Sequence, residues 1–180
     1  MAKKSTILIE GTILLIVLVA ILTVLSISME SYTLPEGFAD NESVEQSNGF
    51  FIKNQIIRYP AKANVSILNI SDKNIKIGVA PQTYELNFGN VPQNITVRKF
   101  IQFANNENVP VKVCFVARGS ISPLVKSTEG REMILQSQQQ REIEITFNST
   151  EVGLYNGEMD IVIRKPESFI PGSLISLVRC

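Results

Sequence analysis

Few residues in this chain have a type and spacing that could do chemistry. None of the 180 residues is histidine, which removes the side chain most used for proton transfer near neutral pH, every His-containing triad and most zinc sites. The two cysteines, Cys114 and Cys180, are too far apart in sequence for a close-spaced metal or redox motif. Cys114 sits in the strand-like run KVCFVA, where a buried free thiol acts as a small apolar side chain. A bridge to Cys180 in an oxidising compartment would require the tail to fold back across the domain. Hydroxyl, lysine and carboxylate residues occur without a spacing that brings them together, so neither an enzyme nor a cofactor is expected.

Two features remain that could carry chemistry. Asn-X-Ser/Thr triplets stand at Asn41, Asn64, Asn69, Asn94 and Asn148, none with a central proline, so each side-chain amide is a candidate glycan acceptor. In a host without N-glycosylation the same triplets are ordinary polar turn and edge-strand residues. The second is Glu10, an ionisable group inside an apolar run, which is costly in hydrocarbon unless it is paired or snorkels to the membrane edge.

The element that positions Glu10 is a hydrophobic helix. Ile7 to Ile27 reads ILIEGTILLIVLVAILTVLSI, and a helix of that length matches a hydrocarbon core of about 30 Å. Ile13 to Leu22 is apolar on every side, whereas a soluble helix would show a polar face. Lys3 and Lys4 precede the run and Glu30, Glu36, Asp40, Glu42 and Glu45 follow it. Basic residues stay on the cytoplasmic side, so the expectation is a retained single-pass anchor with a cytoplasmic N-terminus and an extracellular domain. All five asparagine triplets lie on that outer side.

The string KKSTILIEG resembles the class III signal of type IV prepilins, including the archaeal ones. By that resemblance Lys3 and Lys4 form the basic segment, Ser5 precedes the cleavage point, Thr6 becomes the new N-terminus and Glu10 the fifth mature residue. The glutamate would then pair with the N-terminal amine of a neighbouring copy, and the helix would be an assembly element.

Beyond the anchor, Ser31 to Ser47 is rich in Ser, Glu, Pro, Gly and Asp without alternation and reads as a spacer. The apolar stretch FFIKNQIIRY after it fits a first strand or a segment lying on the membrane surface. From about Ala61 apolar residues alternate with polar ones, as in strands with one buried face. Ile143, Ile145 and Phe147 in REIEITF, Ile75, Ile77 and Val79 in KNIKIGVA, and Met159, Ile161 and Ile163 in EMDIVIR would point inward. Further runs, ANVSILNI, YELNFG, NITVRKFIQFAN and VPVKVCFVAR, bring the count to about seven or eight strands. Two packed antiparallel sheets solve the burial problem for such strands.

Leu86 to Phe115 resembles an immunoglobulin-like pattern, that of the abnormal-spindle and Hydin-type domain, related in architecture to major sperm protein. Phe88, Gly89, Val91, Asn105, Pro110 and Val111 occupy its positions, and Gly153 to Arg164 matches the last hairpin of that family. The resemblance implies an all-β, immunoglobulin-like antiparallel sandwich used for binding or spacing, with no shared active site. Gly89 and Gly157 read as turn glycines, with Asn156-Gly157 a hairpin signal, and Phe88, Phe103, Phe115 and Phe147 as core.

The expected organisation is a cytoplasmic N-terminus at 1–6, a transmembrane helix at 7–27, a spacer and membrane-proximal segment at 28–60, the sandwich at 61–165 and an apolar tail at 166–180 that docks on the domain or on a partner. Zero net charge with 19% charged residues carries no nucleic-acid footprint. The expected partners are the lipid bilayer through the helix, a protein or cell-envelope component through the domain and, if the helix assembles, further copies of the chain.

Overall fold

A computed structural model of the chain describes residues 2–67 and 85–180, with side chains in the first helix from Thr12 onward. The expected strand at Ile75, Ile77 and Val79, Asn69, and the side chains of Ser5, Thr6 and Glu10 lie outside the described residues.

The first element, α1, runs from Ala2 to Met29. Its hydroxyl residues fold back onto the helix: Thr23 donates to the Val19 carbonyl, Ser26 to Leu22 and Ser28 to Leu25. Each O–H is thereby satisfied without water or a partner. The apolar side chains from Ile13 to Leu22 and of Leu25 are exposed, Val24 is half-buried, and Ile27 is fully buried. Thr12–Met29 is long and apolar enough to cross a membrane, by length and composition.

Nine strands follow among the described residues: β1 (Ser43–Asn48), β2 (Ile52–Ser66), β3 (Leu86–Pro92), β4 (Val97–Ala104), β5 (Val111–Gly119), β6 (Val125–Ser127), β7 (Glu132–Leu135), β8 (Gln140–Phe147) and β9 (Gly153–Pro166). A short 3-10 turn, Gly172–Leu177, lies in the tail. One sheet has the order β1-β2-β9-β5-β7, with β3 also beside β2, and the other the order β4-β8-β6. Pairing is antiparallel except for β2 with β3, which run parallel. A parallel pair needs a long connection, and 19 residues of sequence separate the two strands.

The two sheets face one another across a common core, a sandwich-like arrangement. Ile143, Ile145 and Phe147 of β8 meet Val113, Phe115, Ile161 and Met159 of the larger sheet. Phe88 stacks on Phe147 with centroids 5.1 Å apart, and Phe103 meets Phe115 edge-on at 6.4 Å. The alternation read along β8 therefore holds, as do the four core phenylalanines. Asn105, which closes β4, is buried because its Nδ2 donates to the carbonyls of Val109, Leu135 and Gln136 and its Oδ1 accepts from the Glu107 N–H.

Several expectations need correction. The sheet begins before residue 61: β1 lies in the segment read as a spacer, and the first half of β2 takes up the first-strand alternative for FFIKNQIIRY. Polar composition there does not prevent strand formation, since β1 is an edge strand with exposed side chains. Asn156-Gly157 is not a hairpin. Both residues lie within β9, paired on one side with Lys62 and Ala61, and Gly157 faces Gly119 on the other. Gly157 is needed for close approach, because an added Cβ would stand 2.0 Å from the Arg118 carbonyl oxygen. Gly89 does take a left-handed φ of +71°, at a bulge where Lys62 pairs with Asn87 and Ala63 with Gly89.

Nor does the EMDIVIR part of β9 have a wet face. Alternating with Met159 and Ile161, the residues Glu158, Asp160, Val162 and Arg164 are buried as well. Cys114 is not a free thiol: it is bonded to Cys180, with Cα atoms 5.5 Å apart. The tail thus docks on its own domain.

Candidate functional site

The outer face of the larger sheet, which one-sided alternation would leave in water, holds the densest set of ionisable side chains. Register brings them together. On the central strand β9, Asp160 lies between Arg58 of β2 and Val116 of β5, while Glu158 lies between Pro60 and Arg118. Two rows further along, Arg164 is flanked by Asn54 and Lys112; in the row between, Val162 is flanked by Ile56 and Cys114. Side chains two residues apart share a face, so two arginines converge on two carboxylates.

Arg58 Nε donates to Glu158 Oε1 at 2.5 Å, and its Nη2 to Glu158 Oε2 at 3.1 Å. Arg118 Nη2 meets Glu158 Oε1 at 3.0 Å, and its Nε lies 2.7 Å from Asp160 Oδ2. The Glu158 and Asp160 side chains are 0% exposed, so each charge depends on the others for its solvation.

Their protonation differs. Burial pushes Glu158 up, but hydrogen bonds from Asp160, Arg58, the Ala39 N–H and Arg118 more than reverse this and hold it at about 2. Burial also pushes Asp160 up, and the Glu158 carboxylate pushes it the same way, raising it to about 7 against the pull of Arg118. With both carboxyls ionised, neither Asp160 oxygen has a hydrogen-bond partner; a proton on Asp160 supplies one, toward Glu158.

Residues 31–40 cross this face as a strap, pinned at successive positions. Arg164 lies under the Tyr32 ring at 5.2 Å, and its Nη2 donates to the Glu30 carbonyl. Leu34 packs on Ile56, Cys114 and Val162. Arg118 donates to the Pro35 carbonyl and lies 5.9 Å from the Phe38 ring. Arg58 donates to the Gly37 carbonyl at 2.7 Å, and the Ala39 N–H donates to Glu158 at 2.9 Å.

The tail closes the other half of the same face. Arg164 donates to the Arg179 carbonyl, and Lys112 Nζ to the Val178 carbonyl at 2.6 Å. Ile170, Ile175 and Val178 enclose Ile27 of α1 together with Ile52. Strap, tail and charge cluster thus fasten the end of the apolar helix to the sheet. A carboxyl pair with separated pKa values can serve acid–base chemistry; here the strap lies over the pair, and both side chains are 0% exposed. The arrangement is a latch. Among the described residues no group of three or more acidic or cysteine side chains is placed to hold a metal ion.

The asparagines singled out by sequence lie elsewhere. Asn41, Asn64 and Asn94 are exposed and Asn148 is half-buried. Asn64 Nδ2 donates to Asn90 Oδ1, and Asn148 Nδ2 to the Thr96 hydroxyl, which belongs to the Asn94 triplet. The Asn94 N–H donates to the Ser149 carbonyl. Asn64, Asn94 and Asn148 therefore gather at the end of the domain opposite α1, while Asn41 follows the strap. The latch itself was not anticipated. Its signal was the pair of acidic residues at alternate positions, Glu158 and Asp160, in the EMDIVIR run, a pattern that an exposed face also produces.

Compared with family models, curated proteins and solved structures, the chain matches none.

Proposed function

We propose that the chain is a non-catalytic, single-pass membrane-anchored surface protein whose immunoglobulin-like module binds or spaces a protein or cell-envelope component outside the cytoplasm. The observation that carries this reading is the contrast within α1. From Ile13 to Leu22 its apolar side chains are exposed among the described residues, while Ile27 is locked into the domain. A helix of that kind needs lipid or other apolar helices around it. Its latched end makes it a mount for the domain, in place of a flexible tether.

The disulfide suits an oxidising compartment, as do exposed asparagine triplets at the end away from the helix. Lys3 and Lys4 before the helix favour the same orientation. Carbonate washing of membranes tests the anchor: the chain stays with the pellet until detergent is added. Protease added to intact cells removes the domain if it faces outward, and an untouched domain overturns the orientation.

A second reading is favoured by Ser5, Thr6 and Glu10, whose spacing resembles a prepilin-type signal. In it α1 packs among copies of itself, the chain is a pilin-like or archaellum-type subunit or accessory, and the sandwich decorates the filament. Sequencing the mature N-terminus separates the two: a start at Thr6 supports assembly, and an intact start supports the simple anchor.

A further inference from the structure

At the end of the sheet from which α1 leaves, aromatic side chains stand in the open. The β1–β2 turn and the segment after β9 meet there because Ile52 pairs with Pro166, and the Glu167 N–H donates to the Phe51 carbonyl at 2.9 Å. Their rings cluster: Phe50 lies 4.7 Å from Phe51 and 6.2 Å from Phe169, centroid to centroid. Phe50 is nevertheless 75% exposed and Phe169 61%. Leu177, in the 3-10 turn against the helix end, is also exposed.

Two contacts set the level of this cluster relative to α1. The Phe51 N–H donates to the Glu30 carboxylate, one residue past the helix, at 3.0 Å. Ile27 is buried among Ile52, Ile170, Ile175 and Val178, from the same two segments. The exposed rings therefore continue the apolar surface of the helix where that surface ends, at Met29. Of the charges beside them, Lys53 is paired with Glu167 at 3.0 Å.

We propose that Phe50, Phe169 and Leu177 form a second membrane contact, seated in the interfacial layer of the bilayer that α1 crosses. The proposal rests on the reading of α1 as an anchor. An apolar helix crossing the hydrocarbon ends near the headgroup boundary, and apolar side chains fixed at that level enter the outermost ~5–10 Å of the layer. Because the latch prevents the domain from swinging away on a linker, both contacts form together and set the tilt of the domain on the surface. A long apolar helix whose end is continued by exposed phenylalanine rings matches lipid better than a polar protein partner.

The chain contains no tryptophan, so each single substitution places one emitter. Full-length Phe169→Trp, Leu18→Trp and Leu154→Trp are reconstituted in phosphatidylcholine vesicles with and without acyl-chain-brominated lipid. Leu154 is exposed and lies about 40 Å along β9 from Pro166, at about 3.3 Å per residue. The expected result is loss of most emission for Phe169→Trp with bromines near the headgroup end, loss for Leu18→Trp with bromines deep in the chain, and none for Leu154→Trp. If Leu18→Trp is quenched and Phe169→Trp is not, the anchor stands and the second contact is refuted. If Leu18→Trp is also unquenched, the anchor reading fails and the proposal with it. Unquenched Phe169→Trp emission that shifts to the blue as protein is concentrated at fixed lipid would mean a second copy covers the face, which also refutes it.

Discussion

Removing the bond between Cys114 and Cys180 tests whether the tail is a structural part of the domain. Its sequence separation is 66. Closing a loop of that length removes about 14–15 cal/mol/K from the unfolded chain, or about 4 kcal/mol at 25 °C. A domain of this size has a total stability of about 5–15 kcal/mol, so a loss of ~4 kcal/mol is a large fraction of it. The same bond holds Val178 over Lys112 and over Ile27, so its loss also leaves the buried Lys112 ammonium with only Glu132 at 2.9 Å. Full-length Cys180→Ser in detergent, unfolded in urea and followed by far-ultraviolet circular dichroism, should show a midpoint lowered by an amount corresponding to roughly that energy. Wild type with reductant should match it. An unchanged midpoint in both, or two maleimide-reactive thiols in folded, unreduced protein, would refute the reasoning.

The remaining predictions concern the latch and the core. Asp160 is raised to about 7 in the fold from about 3.9 in the unfolded chain. Its protonation therefore adds stability that is fully present below about pH 4 and is lost as pH rises through about 7, at most about 4 kcal/mol. Asp160→Asn keeps a neutral donor toward Glu158 and should flatten the stability profile across that window; a wild-type slope in the variant would show that the titration belongs elsewhere. Gly157→Ala must force β9 and β5 apart around the Arg118 carbonyl, and should lower the thermal midpoint more than the exposed substitution Leu154→Ala. Ile145→Ala opens a cavity between the sheets at a fully buried position and should cost about 2–5 kcal/mol by urea unfolding.

Local patterns carried much of the fold. The apolar run ending near Ile27 forms the expected helix, and period two in REIEITF correctly assigned the inward side chains of β8. Such patterns describe one element and its immediate neighbours, because side-chain direction follows from residue spacing alone. They failed where a second layer covers the first. Glu158, Asp160 and Arg164 alternate with apolar residues as an exposed face would, yet Tyr32 to Ala39 and the tail lie over them. Asn156-Gly157 likewise has turn chemistry but stays in a strand because β2 and β5 flank it.

The sequence by itself determined the elements: one apolar helix, alternating strands and their core faces. Only the tertiary structure decided that Arg58 and Arg118 flank the carboxylates of β9, that Cys180 returns to Cys114, and that Ile27 is enclosed at the end of the sheet. These contacts join residues roughly 25 to 150 positions apart, and strand order and register set which of them meet. Periodicity along one strand contains no information about that choice.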